Sequence, residues 1–221
     1  MSNAELRLAG FPITVRPSVL LLIAAIGWTV VSSGQSLWLL ACYVSTLFAS
    51  VLLHELGHAF ALRFVGVRGQ TVTLHGLGGQ VEWDGSVEPL TNVEHLFVSL
   101  AGPVSGLMVG MLALAAIPFA SDAFVLNVLG QAVLLNVCMN VGNMMPALPL
   151  DGGQALLSCI NAVTPRGWKL GAYLVVYLGS VVGSMLLFAA YFWGNVFLLL
   201  IGGQILLFNA SQTEWLFSDE P

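Results

Sequence analysis

Charged side chains are scarce in this sequence. Asp, Glu, Lys and Arg together make up 8% of the 221 residues, whereas soluble domains carry about 25% charged residues. Hydrophobic residues make up 57% of the chain, and its mean hydropathy is +0.90. Because so few polar groups cannot cover a water-soluble globule of this size, the composition predicts an integral membrane protein in a lipid bilayer.

Basic residues and cysteines are also few, and their pattern argues against two further classes of protein. The six Lys and Arg form no run, which argues against a nucleic-acid partner. The three cysteines, Cys42, Cys138 and Cys159, fit neither the spacing of a zinc knuckle nor a disulfide framework. We expect these cysteines to pack among apolar neighbours.

Long apolar runs predict an α-helical polytopic membrane protein with about six transmembrane helices. The predicted spans are residues 18–33, 37–64, 93–120, 124–145, 168–192 and 195–208, and a shorter apolar helix is predicted at 154–163. After the second span, residues 70–74 and 80–83 alternate polar and apolar side chains. This alternation predicts a small β-hairpin or sheet associated with the membrane surface.

The distribution of basic residues predicts the orientation of these spans. With a cytoplasmic N-terminus and six spans, all six Lys and Arg lie on the cytoplasmic side, as the positive-inside rule expects: Arg7, Arg16, Arg63, Arg68, Arg166 and Lys169. Both termini are therefore predicted to be cytoplasmic. Gln35, Asp122 and Gly194 are predicted to lie in external turns.

The second span carries the sequence His54-Glu55-Leu56-Gly57-His58. Residues four apart lie on one face of a helix, so His54 and His58 can bind one metal ion. Glu55 then lies close enough to act as a general base on a water molecule at that metal. Ionisable residues within an apolar span are costly unless they are paired, and a metal would supply the partner.

A catalytic zinc usually takes a third protein ligand. His75 and His95 are candidates, although each is more often a hydrogen-bonded interface histidine. Asp151 is the stronger candidate, because it follows a proline-broken helix end near the cytoplasmic surface and precedes two glycines. The alternative is that Asp151 only caps the helix that follows it.

Several small and polar residues in the third and fourth spans are expected to serve helix packing. Gly102 and Gly106 form a small-xxx-small pair that lets another helix approach closely. Pro103 is expected to kink the same helix. Asn136 and Asn140 are expected to make interhelical hydrogen bonds.

The two motifs together resemble those of the site-2 proteases, which are intramembrane zinc metalloproteases. The first motif is residues 54–58, and the second is Asn-Met-Met-Pro-Ala-Leu-Pro-Leu-Asp-Gly-Gly at 143–153. The resemblance covers about 36–165, which it implies is the catalytic core, with C-terminal helices at 168–210. The whole chain, 1–221, is then one membrane protease domain, and neither a PDZ module nor a nucleotide-sensing domain is recognisable in it.

The resemblance also implies the roles of the site residues. One Zn²⁺ per chain would be bound by His54, His58 and Asp151, with Glu55 as the catalytic base. Asn143 would help to hold the scissile carbonyl group. The implied reaction is hydrolysis of a peptide bond in or near a transmembrane segment of a membrane-protein substrate.

The substrate and the location of the site follow from the same interpretation. A transmembrane substrate must unwind before it is cut, and the strand between Gly79 and Trp83 could bind the unwound segment by strand addition. The site is expected to open to the cytoplasm of a prokaryotic cell membrane. The alternatives are an ion or metal transporter or channel, and a catalytically inactive relative that acts as a membrane binding protein. The sequence does not indicate an oligomeric state.

Overall fold

The computed structural model describes residues 6–32, 34, 36–76, 78–83, 89–164 and 168–217. Their elements in chain order are β1 Leu6–Leu8, β2 Phe11–Val15, α1 Val19–Ser32, α2 Leu37–Phe64, β3 Thr71–His75, β4 Gly78–Glu82, α3 Asn92–Ala116, α4 Ala123–Asn143, α5 Asp151–Val163, α6 Trp168–Trp193 and α7 Val196–Phe217. A 3₁₀ turn, Ile117–Phe119, follows α3. Gln35 and Arg166, which the sequence analysis used for topology, lie outside the described residues.

Five helices of the described chain are long and apolar enough to cross a membrane, namely α2, α3 with its 3₁₀ turn, α4, α6 and α7. The first helix, α1, has 14 residues and is about 21 Å long, shorter than a hydrocarbon core of about 30 Å. Large aromatic side chains near the helix ends are exposed, as expected of residues that anchor a protein at the membrane interface: Trp28, Trp38, Phe119, Tyr191 and Trp193.

The strands form one four-stranded sheet in the order β1-β2-β3-β4. The predicted hairpin is confirmed as β3 and β4, which pair antiparallel with Val72 opposite Val81. Strands β1 and β2 were not predicted from the sequence. Strand β1 has only three residues, and β2 pairs in parallel with β3 across both intervening helices, so no local alternation indicated the pairing.

The chain divides into two compact units, Met1–Glu88 with Ala101–Asn140, and Pro89–Leu100 with Val141–Pro221. In the first unit the sheet packs on α2. Its buried apolar core contains residues from the sheet, from α2 and from the start of α1: Phe11, Ile13, Val19, Val51, Leu56, Ala59, Val72 and Leu74. An ion pair of 2.8 Å between Arg16 and Glu82 joins the end of β2 to β4.

The second unit contains the start of α3 and the last three helices. Helix α3 begins with a capping box in which the Thr91 main-chain N–H donates to Glu94 Oε2 and the Glu94 N–H donates to Thr91 Oγ1. Helices α6 and α7 pack closely at Gly183 and Gly202, where a Cβ at Gly202 would lie 2.9 Å from the Gly183 carbonyl oxygen. Helix α7 extends to Phe217, beyond the predicted end at 208.

Candidate metal centre

The motif histidines and glutamate lie in the buried part of α2. His54, Glu55 and His58 are only 3%, 6% and 9% exposed, in a helix whose other faces carry large exposed apolar side chains. His54 Nε2 and His58 Nε2 are 3.1 Å apart. Two nitrogens bound to one tetrahedral zinc at 2.0–2.1 Å lie about 3.3 Å apart. The pair therefore fits a shared divalent metal with little movement.

Helix α3 packs directly against this part of α2. A Cβ at Gly57 would lie 2.6 Å from the Ala101 carbonyl oxygen and would also overlap the Ser105 hydroxyl. Ser105 Oγ donates to the Leu53 carbonyl at 3.0 Å. A Cβ at Gly102 would overlap His58 Nε2. The predicted close approach is present, and a glycine of α3 packs against a candidate ligand atom.

Glu55 lies beside the outer strand of the sheet. A Cβ at Gly79 of β4 would be 2.5 Å from Glu55 Cγ and 2.8 Å from Glu55 Oε1. Only a residue without a side chain leaves room for this carboxylate. The side chain of Glu55, the candidate base on α2, therefore packs against β4, the strand that was predicted to bind the substrate.

Asn140 of α4 contacts the histidine pair from another side. Its Oδ1 is 2.6 Å from His54 Nδ1, and its side chain is fully buried. The expected interhelical hydrogen bond of Asn140 is therefore present, but its partner is a candidate metal ligand. This hydrogen bond was not predicted from the sequence, because Asn140 is 86 residues from His54 and lies outside both motifs.

Asp151 begins α5 after the proline-containing segment. Leu150 occupies the N-cap position and makes no side-chain cap hydrogen bond, and Asp151 is the first residue of the helix, one position after the cap. A Cβ at Gly152 would overlap the Met144 carbonyl oxygen, and one at Gly153 would be 2.5 Å from the Ala147 carbonyl carbon. Both glycines are needed for α5 to begin this close to the preceding segment.

His54, His58 and Asp151 each offer a ligand atom, and these atoms all lie within 4.8 Å of one another. His75, in β3, and His95, in the first turn of α3, do not belong to this group. Burial and the Arg16 guanidinium lower the pKa of His75 below 6.5, and Glu82 opposes the shift. Asn143 is the last residue of α4 and is partly buried.

The comparisons with known proteins agree on one family, although no family model matches the chain. It is 26% identical over 200 residues to the zinc metalloprotease MJ0392 of Methanocaldococcus jannaschii, covering 88% of this chain and 56% of that protein. It is 30% identical over 174 residues to the putative zinc metalloprotease sll0528 of Synechocystis, covering 71% of this chain and 44% of that protein. The chain thus spans about half the length of these curated relatives.

A solved structure matches over nearly the whole fold. The site-2 protease from Methanocaldococcus jannaschii superposes with a TM-score of 0.70 at 25% identity, covering 94% of this chain and 92% of the other. The chain belongs to the site-2 protease family. The predicted fold class, a helical multi-pass membrane protein with a small sheet, is confirmed by this match, with five long apolar helices and the shorter α1.

Proposed function

We propose that this chain is an intramembrane zinc metalloendopeptidase that cuts a membrane-protein substrate in or near a transmembrane segment. One observation carries the proposal: two buried histidines on one helix have their Nε2 atoms 3.1 Å apart, with a buried glutamate next to the first of them. The names of the curated relatives and the match to the solved site-2 protease support the same reaction class. We propose residues 1–221 as one protease domain with its core at about 36–165.

We assign one zinc ion per chain to His54, His58 and Asp151. Zinc lowers the pKa of a bound water molecule and polarises a carbonyl group. We assign to Glu55 the transfer of a proton from the attacking water to the leaving amine. We assign to Asn143 a hydrogen bond to the scissile carbonyl oxygen, which becomes stronger as negative charge develops there.

Metal content tests the ligand assignment. We expect one zinc per purified wild-type chain and a large loss of zinc in His58→Ala, because the remaining ligands bind too weakly to retain the metal. Elemental analysis of both proteins in detergent gives the answer. Equal zinc contents would contradict the assignment, provided that both proteins elute alike from a sizing column.

The Glu55→Gln variant separates the base from the ligands. It should retain zinc and the melting temperature of the wild type yet lose cleavage by 10²–10⁴-fold, the usual contribution of a general acid–base group. The cleavage assay also tests the two rival functions. If the protein were a transporter or an inactive binding relative, the wild type would not cleave the substrate. If Glu55→Gln cleaved at the wild-type rate, the proposed role of Glu55 would be wrong.

Strand addition is our proposal for how the substrate binds. Strand β4 is an outer strand of the sheet, paired with β3 on one side only among the described strands. Its Gly79 lies against Glu55. An unwound substrate segment that pairs with the open edge of β4 would therefore pass beside the base, with main-chain hydrogen bonds giving affinity without a fixed sequence.

Photo-crosslinking can test this mode of binding. A photoreactive residue at the exposed Gln80 of β4 should crosslink a transmembrane substrate in a Glu55→Gln background, which preserves the uncut complex. The same residue at Leu8 is the matched control, because β1 is the opposite outer strand and Leu8 is also exposed. Equal crosslinking from the two edges would contradict strand addition to β4.

We further propose that both termini and the site opening face the cytoplasm of a prokaryotic cell. The sheet supports this arrangement, because β2 pairs with β3 and so residues before α1 and after α2 lie on the same side. In a variant without native cysteines, Ser121→Cys should react with an impermeant thiol reagent added to intact cells, and Thr164→Cys should not. The reverse pattern would invert the topology.

A further inference from the structure

Only one orientation of the Asn140 amide gives both of its hydrogen bonds a donor and an acceptor. Its Nδ2 donates to the Asn136 main-chain carbonyl at 2.6 Å, and its Oδ1 lies 2.6 Å from His54 Nδ1. A main-chain carbonyl can only accept a hydrogen bond, so the NH₂ group must face Asn136. The reversed amide would place two acceptor oxygens against each other in a fully buried site.

This orientation fixes the tautomer of His54. Because Asn140 Oδ1 can only accept, His54 Nδ1 must carry the proton and donate it. The lone pair of the neutral ring then lies on Nε2, the atom that is 3.1 Å from His58 Nε2. The hydrogen bond thus sets both the ring rotation and the nitrogen that is available to bind a metal.

Helix α3 holds the Asn140 amide in this position. A Cβ at Gly106 of α3 would be 2.5 Å from Asn140 Oδ1 and would overlap Nδ2, so any side chain at 106 would displace the amide. One turn earlier on α4, Asn136 Nδ2 donates to Ser50 Oγ of α2 at 2.9 Å. Asn136 and Asn140 are both fully buried. The close approach of α3 therefore fixes the Asn140 amide, whereas the Asn136 side chain makes its own contact with α2.

We infer that Asn140 is a positioning residue for the metal centre, which holds His54 with Nδ1 protonated and Nε2 directed at the metal. Hydrogen bonds of this kind to metal-binding histidines usually raise metal affinity by 10–100-fold. The inference rests on the proposed zinc site. It adds a residue that neither motif contains. It also distinguishes Asn140 from its neighbour Asn136, whose amide donates to Ser50 and to the Ala132 carbonyl.

Metal affinity measured by competition with a chelator tests the inference, with the visible spectrum of the cobalt-substituted protein as a second readout. Asn140→Leu removes the acceptor but keeps the number and branching of the side-chain heavy atoms, and we expect zinc affinity to fall by about 10–100-fold. Gly106→Ala should weaken binding in the same direction by displacing the amide. Asn136→Leu is the matched control, since it removes a buried asparagine from the same helix but leaves the Asn140–His54 contact.

Asn140→Asp separates positioning from a general structural role. An aspartate retains an acceptor for His54 Nδ1–H but replaces the donor to Asn136 with an oxygen. We therefore expect its melting temperature to fall while its zinc affinity stays within about threefold of the wild type. A merely structural residue would lose affinity in parallel with stability.

Two results would overturn the inference. One is a zinc affinity for Asn140→Leu that matches that of the Asn136→Leu control. The other is a loss of affinity in Asn140→Asp as large as in Asn140→Leu. If Asn140→Leu does not fold, Gly106→Ala and Asn140→Asp still give a decision. A wild-type protein that binds neither zinc nor cobalt would instead contradict the proposed function itself.

Discussion

Substitution of Gly79 by alanine should impair the proposed base without removing the metal. The added Cβ would be 2.5 Å from Glu55 Cγ, whereas carbon atoms in contact prefer about 3.5–4.0 Å. Glu55 must therefore retreat by about 1 Å, and a misplacement of that size at a reacting group costs about 100-fold in rate. This corresponds to about 2.7 kcal/mol in the activation free energy.

The stability cost of Gly79→Ala should be small for two reasons. The clash is with a side chain that can rotate and not with the main chain. Gly79 also does not adopt a positive φ, unlike Gly78, whose φ is +135°. We expect bound zinc and the melting temperature to remain close to those of the wild type, while cleavage of a membrane-embedded reporter falls about 100-fold.

Two glycine controls define what would refute this reasoning. Gly78→Ala strains the same strand but its Cβ meets nothing within 4 Å, so it reports strand distortion without a clash at Glu55. Gly130→Ala on α4 also meets nothing within 4 Å and reports the effect of a harmless substitution. Wild-type cleavage by Gly79→Ala, or a loss equal to that of Gly78→Ala, would show that the Gly79–Glu55 contact does not control catalysis.

Three further predictions concern Gly102, Asn143 and His75. Gly102→Ala should lower zinc content as well as activity, because its Cβ would overlap His58 Nε2; unchanged zinc would refute this. Asn143→Ala should lose about 100-fold in cleavage with zinc retained, against Asn136→Ala as the control for a buried amide. Because the folded-state pKa of His75 is lowered, stability should fall as the pH drops below 6.5; Arg16→Gln should raise that pKa in an NMR titration.

Local patterns in the sequence predicted the features that depend on short sequence separation. The spacing of His54 and His58 predicted their shared face, since four residues make about one helical turn. The alternation in 70–74 and 80–83 predicted the hairpin of β3 and β4. Most helix starts and ends were predicted to within a few residues, although α5 begins at Asp151 and not at residue 154, and α7 ends at Phe217 and not at residue 208.

Features that depend on distant residues were missed. Strand β2 takes its place in the sheet only because β3, which follows two helices, pairs with it in parallel. Asn140 was predicted to make an interhelical hydrogen bond, and nothing in its own neighbourhood indicates that the partner is His54. Each contact joins two elements that are far apart in the sequence, and a pattern within one element does not contain that information.

The glycines of α3 show why packing and metal binding are not separate roles in this fold. Gly102 and Gly106 were predicted to allow a close helix approach, and they do, but what approaches is His58 and Asn140. A membrane helix interface gains little from burying apolar groups away from lipid, so it relies on close contact and hydrogen bonds. Here that same close contact brings three helices together around His54 and His58. A side chain at either glycine should therefore disturb metal binding before it disturbs the membrane-embedded fold.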